Sequence, residues 1–598
     1  MSRFRGLALA VAVAAALVVT GLAGAARAAT TTSSHGTILL DGKPLFPLVL
    51  SPGPPLGSKT PWGTDALAET AQAGISVFRV GSGSEWSNAD LADVLAYDRA
   101  AANVGAYTWV NLHGYALATP GSAQDKALAN VVGRVTSDAG GRAIAFWKGR
   151  DEPWWAGFPP SILQFAYCRV TSRGLAPWCH GEQPLDPGGP LWVTIQAPRG
   201  TAADLADFST VTDVHGVDDY PDSLANQSAP PLYQTGQWTA TIAAVSPGEP
   251  VWTTLQICAS GSYDTSTGQY VLPTFQEERY MAYDSILNGA TALAFYGGTI
   301  AGCWSQSDTQ YGWNWTFWQT VLKPLVQQLS ASSQIEPALV NASTSEPVTT
   351  SDPTTEAVLR QGTSPDDLWL IAARSGIGTI PVTFSGLPSW VRSGDVYTEG
   401  RSVDVAGGIF SDSFGQWDVH VYHFVEQLTL QPLYRSSAKV GTHIALVGTG
   451  MAGVKSVSFG GRPARFTIVS DGRIDATVPL AARSGPVVVR SAKAKVASSR
   501  FAILPTVATA PRILGAARVG HALHVTKGRW HGDPVERYSF VWERCNGHGG
   551  ACTRIPGAHK QRLALGAGSV GMRFRVLVSV KTAGGTARVQ TAASAAVR

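Results

Sequence analysis

From about residue 35 to 331, short apolar runs rich in β-branched and aromatic residues alternate with longer stretches whose apolar positions recur at helical spacing. The runs are "LFPLVLS", "ISVFRV", "GAYTWVNL", "AIAFWKG", "PLWVTIQ", "VTDVHGVD", "PVWTTLQ" and "ALAFYGG". Between them lie helix patterns such as "TDALAETAQAG", with Thr64 or Asp65 as N-cap and Gly74 as stop. Another is "PTFQEERYMAYDSILNGA", which starts at Pro273 and stops at Gly289. Eight strands separated by helices predict a closed (β/α)8 TIM barrel. An open doubly wound sheet is the competing fold, disfavoured because no Gly-rich phosphate loop follows any strand.

After "FWQTVLKPLVQQLS" the period changes from helical to alternating. Residues 336–426 carry "DLWLIAAR", "IPVTFSG" and "WDVHVYHF" between Gly, Ser, Pro and Asp, which predicts an antiparallel β-sandwich. Residues 428–504 and 509–598 are also all-β, joined by "LPTVATAP". A chain of 598 residues exceeds the roughly 250 to 300 at which one core stops growing, so a multidomain chain is expected. The domains are a barrel over 35–331 and three all-β sandwich or Ig-like domains.

The first residues, "MSRFRGLALAVAVAAALVVTGLAGAARAAT", change the compartment. A basic n-region, an apolar stretch and Ala26-Arg27-Ala28 predict a secretory signal peptide over 1–28, cleaved after Ala28; an uncleaved membrane anchor is the alternative. No other apolar run is long enough to span a bilayer, so the mature chain is expected to be secreted. Six cysteines suit an oxidising compartment, and their order suggests Cys168–Cys179, Cys258–Cys303 and Cys545–Cys552. None has zinc spacing, and neither a metal nor a cofactor is called for. Charge is uneven: residues 428–598 hold 25 Lys and Arg against 5 Asp and Glu, and the remainder 21 against 37. A basic exported tail is suited to an anionic cell-wall polymer, which would retain the protein at the cell surface; a solubilising charge excess with no partner is the alternative.

In a barrel, residues closing each strand face one mouth. Those positions are Arg79, Asn111 and His113, Asp151 and Glu152, Gln196, Asp218, Asp219 and Tyr220, Gln256, and Tyr296. Trp86, Tyr115, Trp154, Trp155, Trp304 and Trp313 fall in the same loops. Carboxylates beside aromatic platforms suit a carbohydrate, whose C–H faces stack on rings while its hydroxyls take polar partners. The strand ends "VFRV", "VNLHGY", "GRDEPWW", "DVHGVDDYPD" and "ALAFYGG" resemble those of the clan A glycoside hydrolases, retaining enzymes on (β/α)8 barrels. The resemblance implies that Glu152, in the position of the Glu of that clan's Asn-Glu-Pro, is the general acid. It also matches Arg79, His113 and Tyr220 to the clan's second-strand Arg, third-strand His and sixth-strand Tyr. Residues 336–426 are similar to the β-sandwich that follows many glycosidase barrels, 428–504 resembles an IPT/TIG domain, and 509–598 resembles a bacterial Ig-like module.

Two positions depart from the clan's pattern. Asp151 replaces the Asn, and Gln256 stands where the nucleophilic Glu belongs; an amide cannot form the glycosyl ester by that route. Asp218 or Asp219 at inverting distance, a loop carboxylate among Asp264, Glu277 and Glu278, or substrate-assisted cleavage are the remaining routes. Glu277 and Glu278 also fit the first turn of a helix. The expectation is a secreted glycoside hydrolase-like protein acting on a polysaccharide or glycan, with Glu152 and Asp218 catalytic. Arg79, His113, Asp151, Trp154, Trp155, Tyr220, Gln256 and Tyr296 are expected to bind substrate. The rival is a non-catalytic carbohydrate-binding or adhesion protein on a degenerate barrel, and a structural surface protein without a glycan ligand is a third reading. IPT domains also occur in DNA-binding regulators, but no nucleic-acid motif is present.

Overall fold

The computed structural model describes residues 30–32, 36–171, 179, 183–187, 189–223, 230–259, 263–264, 269–341, 347–425, 427–470, 472–491 and 494–598. The expected leader lies outside the described residues. The chain divides into two compact units. The first runs to residue 423, and the second comprises 424–598 with the short segments 388–393 and 405–408.

Each of the eight apolar runs forms a strand: β1 Leu48–Ser51, β2 Val77–Val80, β3 Tyr107–Asn111, β4 Ile144–Asp151, β5 Leu191–Gln196, β6 Val214–Asp218, β7 Val251–Gln256 and β8 Ala292–Tyr296. They pair in parallel from β1 to β8, and β8 pairs back onto β1, so the sheet is a closed barrel and the doubly wound alternative is excluded. Strands β5 and β7 are buried at every position, which is why they read as continuous apolar runs rather than alternating ones. Helices α1 Ala66–Ala73, α2 Asn88–Asn103, α3 Ala123–Ser137, α4 Pro160–Val170, α5 Ala202–Ala206, α6 Gln234–Val245 and α7 Phe275–Leu287 alternate with the strands. The Asp65 side chain caps α1, and Gly74 ends it at φ 127°, a conformation that L side chains rarely adopt. Thr274 and Glu277 form a capping box at the start of α7, two residues after the Pro273 expected to begin it.

The barrel interior is filled by aromatic rings. Trp109 and Trp252 pack with centroids 4.9 Å apart, and Phe146 meets Trp252 edge-on at 5.1 Å. These large rings make the floor on which the mouth of the barrel rests. Gly149 lets β4 pass the β5 neighbour Trp192, since a Cβ there would lie 2.5 Å from the indole nitrogen.

The antiparallel strands expected after the barrel are present within the same unit. Thr355–Gln361, Asp367–Arg374, Ser393–Val396, Arg401–Asp404 and Val419–Val425 form a five-stranded sheet; Thr349–Thr350, Ile380–Ser385 and Ile409–Phe414 form a second. Tyr280, Met281 and Tyr283 of α7 share one core with Trp369, Ile371, Val419 and Val421 of the larger sheet. Arg360 donates from Nη2 to the Ile286 carbonyl at 2.7 Å, tying the sheet to the end of α7.

The second unit is made of β-sheets. Residues 437–504 contain a five-stranded and a three-stranded sheet around Leu446, Phe459, Ile474 and Phe501. Residues 506–598 pack around Leu523, Trp542, Phe574 and Val578. Disulfides join Cys168 to Cys179, Cys258 to Cys303, and Cys545 to Cys552, the pairing that chain order suggests. Among the described residues no helix is long and apolar enough to cross a membrane.

Trp369 is fully buried where the sheet meets α7, and His423 stacks on its ring at 3.9 Å. Trp369→Ala is expected to destabilise the first unit by roughly 3–5 kcal/mol, read as an earlier denaturant transition of the intact chain.

Candidate active site

At the C-terminal ends of the strands lies a cavity of about 290 Å³. It falls near the lower end of small-molecule sites, which span roughly 300–1,000 Å³. Its polar wall comes from Lys148, Asp151 and Glu152 of the β4 end and Asp218 of β6. Ser51, Arg79, Thr254 and Tyr296 contribute from β1, β2, β7 and β8. Trp109 forms part of the floor, and Tyr220 lines the side beside Asp218.

The β4 end is shaped by one buried charge. Lys148 is 3% exposed in an otherwise apolar run, so its ammonium needs a partner. It has one in Asp151, three residues on, and it also lies over the Trp109 ring at 5.5 Å. The pairing of β4 with β5 is irregular between Lys148 and Asp151. Beyond it, Glu152 sits in the left-handed region at φ 43° while its amide donates to the Ile195 carbonyl at 2.9 Å. A non-glycine residue held there costs on the order of 1–3 kcal/mol, and such outliers gather at functional sites. Here the turn brings the Glu152 carboxyl into the cavity.

The carboxyls divide by their surroundings. Burial pushes Asp151 up, but the charge and hydrogen bond of Lys148, with Arg79 beyond, hold it below its ordinary value. Asp151 is therefore an ionised partner of Lys148. Glu152 is raised, first by burial and then by the Asp151 charge, against pulls from Asp218, Lys148 and Arg199. Asp218 is raised well above its ordinary value by burial and by the charges of Glu152 and Asp151. Its Oδ2 accepts from the Tyr220 hydroxyl at 3.2 Å, while its Oδ1 has no donor among the described residues. Both carboxyls of this neighbouring pair are thus raised, so the pair holds a proton above the usual carboxylate range.

Inverting carboxyls stand roughly 6.5–9.5 Å apart and retaining ones about 5–5.5 Å; Glu152 and Asp218 line one cavity. Among the described residues, the β7, β8, β1 and β2 side of the cavity wall presents Thr254, Tyr296, Ser51 and Arg79 and no carboxylate.

Several other expected site residues lie elsewhere. Gln256 is fully buried and exchanges two hydrogen bonds with the Asp222 backbone, accepting at 2.9 Å and donating at 2.8 Å. It clamps the β7 end to the loop after β6 and is absent from the cavity wall, where β7 presents Thr254. His113 is also behind the wall: its Nδ1 accepts from the Asp151 amide at 3.2 Å. Burial and the charges of Arg150 and Lys148 lower its pKa to about 4, so the ring is neutral and steadies the Asp151 backbone. Trp154 packs with Leu205, Val217 and Ile242 below the surface, and Gly200 passes close over its ring. Trp155 is 56% exposed, outside the cavity, with the Arg199 guanidinium 4.4 Å over its ring. Tyr220 and Tyr296 are in the wall, stacked at 5.5 Å.

The remaining candidates separate in the same way. Asp219 is buried away from the cavity, and burial raises its pKa to about 7. Gln196 is buried and accepts from the Trp154 amide at 3.4 Å. Glu277 caps α7; Glu278 is fully buried with no donor to either oxygen among the described residues. Asp264 belongs to a two-residue ladder with Gln269 and Tyr270. Arg150 stacks on Phe158 at 4.6 Å, and neither it nor Arg79 pairs with Glu152. Lys148, Trp109, Thr254 and Ser51 were not expected in the wall. A lone lysine inside the apolar run "AIAFWKG" is the signal that points to Lys148.

No family model matches the chain, and no curated protein matches it. Solved structures align with it as overall architecture. A family 5 glycoside hydrolase from Bacteroides vulgatus is 13% identical with a TM-score of 0.45, covering 66% of this chain and 93% of its own. A structure described as a glycoside hydrolase is 14% identical with a TM-score of 0.43, covering 66% and 96%. A GH30 endoxylanase from Clostridium papyrosolvens is 12% identical with a TM-score of 0.37, covering 64% and 96%. The barrel itself is established by its strand pairing, independently of these likenesses.

The raised pKa of Asp218 has a sign that can be tested. A carboxyl raised in the fold contributes stability that is full below its unfolded value and is lost as pH rises through the folded one. Asp218→Asn removes that loss. Between about pH 4 and pH 8 the variant is expected to lose less stability than the wild type by at least about 1 kcal/mol, the worth of one pKa unit, measured by denaturant unfolding across that range.

Proposed function

We propose that the barrel is a glycan-acting site of the glycoside hydrolase kind, with Glu152 as general acid. The observation that carries this reading is the proton-sharing pair of Glu152 and Asp218 in a cavity walled by tyrosines. A carboxyl that keeps its proton near neutral pH can protonate a leaving oxygen. Glu152 is the more exposed member and offers that proton to the glycosidic oxygen. Asp218, raised well above its ordinary value by burial and the charges of Glu152 and Asp151, is the buried member of the pair and is held by the Tyr220 hydroxyl. Tyr296 and Tyr220 offer ring faces to a sugar, and Lys148–Asp151 fixes the β4 end.

The same geometry supports a one-acid mechanism. With no carboxylate on the facing wall, the attacking group would be water or a group of the substrate itself. Export through the 1–28 leader, and retention through the basic tail, belong to the same proposal.

A second reading, a carbohydrate-binding barrel without turnover, is favoured by one observation: Gln256 is locked onto the Asp222 backbone at the strand-seven position. One experiment separates the two. In a polysaccharide screen of wild type beside Glu152→Gln, the proposal expects hydrolysis of at least one glycan and a loss of about 100-fold or more in kcat for the variant. Unchanged hydrolysis in the variant contradicts the assigned acid. Binding without turnover in the wild type supports the second reading.

A further inference from the structure

Arg79 is a cation of the cavity that bears on Asp151 only through its field, with no ion pair to it among the described residues. It stands on β2 in the wall opposite Asp218, with its guanidinium 5.9 Å over the Tyr296 ring. Its Nε is buried without an acceptor, and among the described residues it forms no ion pair. The three carboxylates of the cavity are committed elsewhere: Asp151 to Lys148, and Glu152 and Asp218 to each other. Ser51, Thr254 and Tyr296 line the same cavity, with the Tyr296 ring under the guanidinium.

A half-buried guanidinium whose buried Nε has no acceptor is a site for an anion, and its planar fork matches a carboxylate held by two hydrogen bonds. The sugar ring that carries the carboxylate would lie along the tyrosine-lined wall. Resting on the glycan reading above, we propose that the cavity selects an acidic sugar, a hexuronic acid unit whose carboxylate is received by Arg79. The carboxylate would then lie across the cavity from the proton-holding pair, with the ring over Tyr296. Neutral sugars would leave the buried Nε without an acceptor, which is costly and gives the discrimination.

The test is equilibrium binding of oligosaccharides of galacturonate, glucuronate and mannuronate, each beside its carboxyl-reduced, neutral counterpart. In the wild type at low salt, at least one acidic member is expected to bind about tenfold or more tightly than its reduced partner. In Arg79→Gln that ratio is expected to fall to within about twofold, and Arg79→Lys, which keeps the charge without the fork, should lie between. Equal or tighter binding of the reduced members by the wild type overturns the inference without any variant. So does an acidic preference that survives in a folded Arg79→Gln. If neutral glycans bind and acidic ones do not, the glycan reading stands and this inference falls. If no member of either set binds, both fall together.

Discussion

The mouth of the barrel is organised by a lysine that cannot reach water. Lys148 is buried within β4, and an unpaired ammonium there would cost several kcal/mol. Asp151 meets it, and the strand departs from regular pairing where the two join. The next residue, Glu152, is thrown into a left-handed conformation and reaches Asp218 across the cavity. One charge-balance requirement thus links the bulge, the strained backbone and the carboxyl pair. It also removes Asp151 from the acids available for proton transfer and leaves it ionised.

The pair that results is chemically distinct from two separated carboxylates. Mutual repulsion and burial favour one shared proton, and the Tyr220 hydroxyl satisfies the outer oxygen of Asp218. Among the described residues no further carboxylate faces this pair from the opposite wall of the cavity. Its remaining cation, Arg79, faces the pair without an ion-pair partner among the described residues. Charge in the cavity is therefore arranged with a gap that a ligand can fill.

The fold was legible because the barrel strands are buried on both faces, so they appear as apolar runs that composition alone exposes. The helix caps Asp65 and Gly74 were equally visible, since capping depends on residue type at a fixed position. The site was legible only in part. Glu152, Asp218, Tyr220, Tyr296, Arg79 and Asp151 do converge, because strand ends share one mouth. Gln256 and His113 also stand at strand ends, yet their side chains turn to backbone groups of Asp222 and Asp151. Orientation of that kind depends on hydrogen bonds between residues distant in the chain, which spacing does not encode. Trp154 and Trp155 mislead for a related reason: adjacent aromatics point different ways, one into the packing beside α6 and one to the surface. Lys148 was missed because it lies three residues before the strand end, inside a run read as apolar.

Glu152 and Asp218 are raised together as one coupled unit. Carboxyl carbon NMR of the intact protein, with Glu152→Gln and Asp218→Asn used to assign the two signals, measures it directly. The account predicts that the two carboxyls titrate as a coupled pair, with one proton retained well above the ordinary carboxylate range, and that replacing either residue brings its partner's titration down. Two independent titrations near the ordinary values of about 4, each unaffected by loss of the other residue, would contradict it.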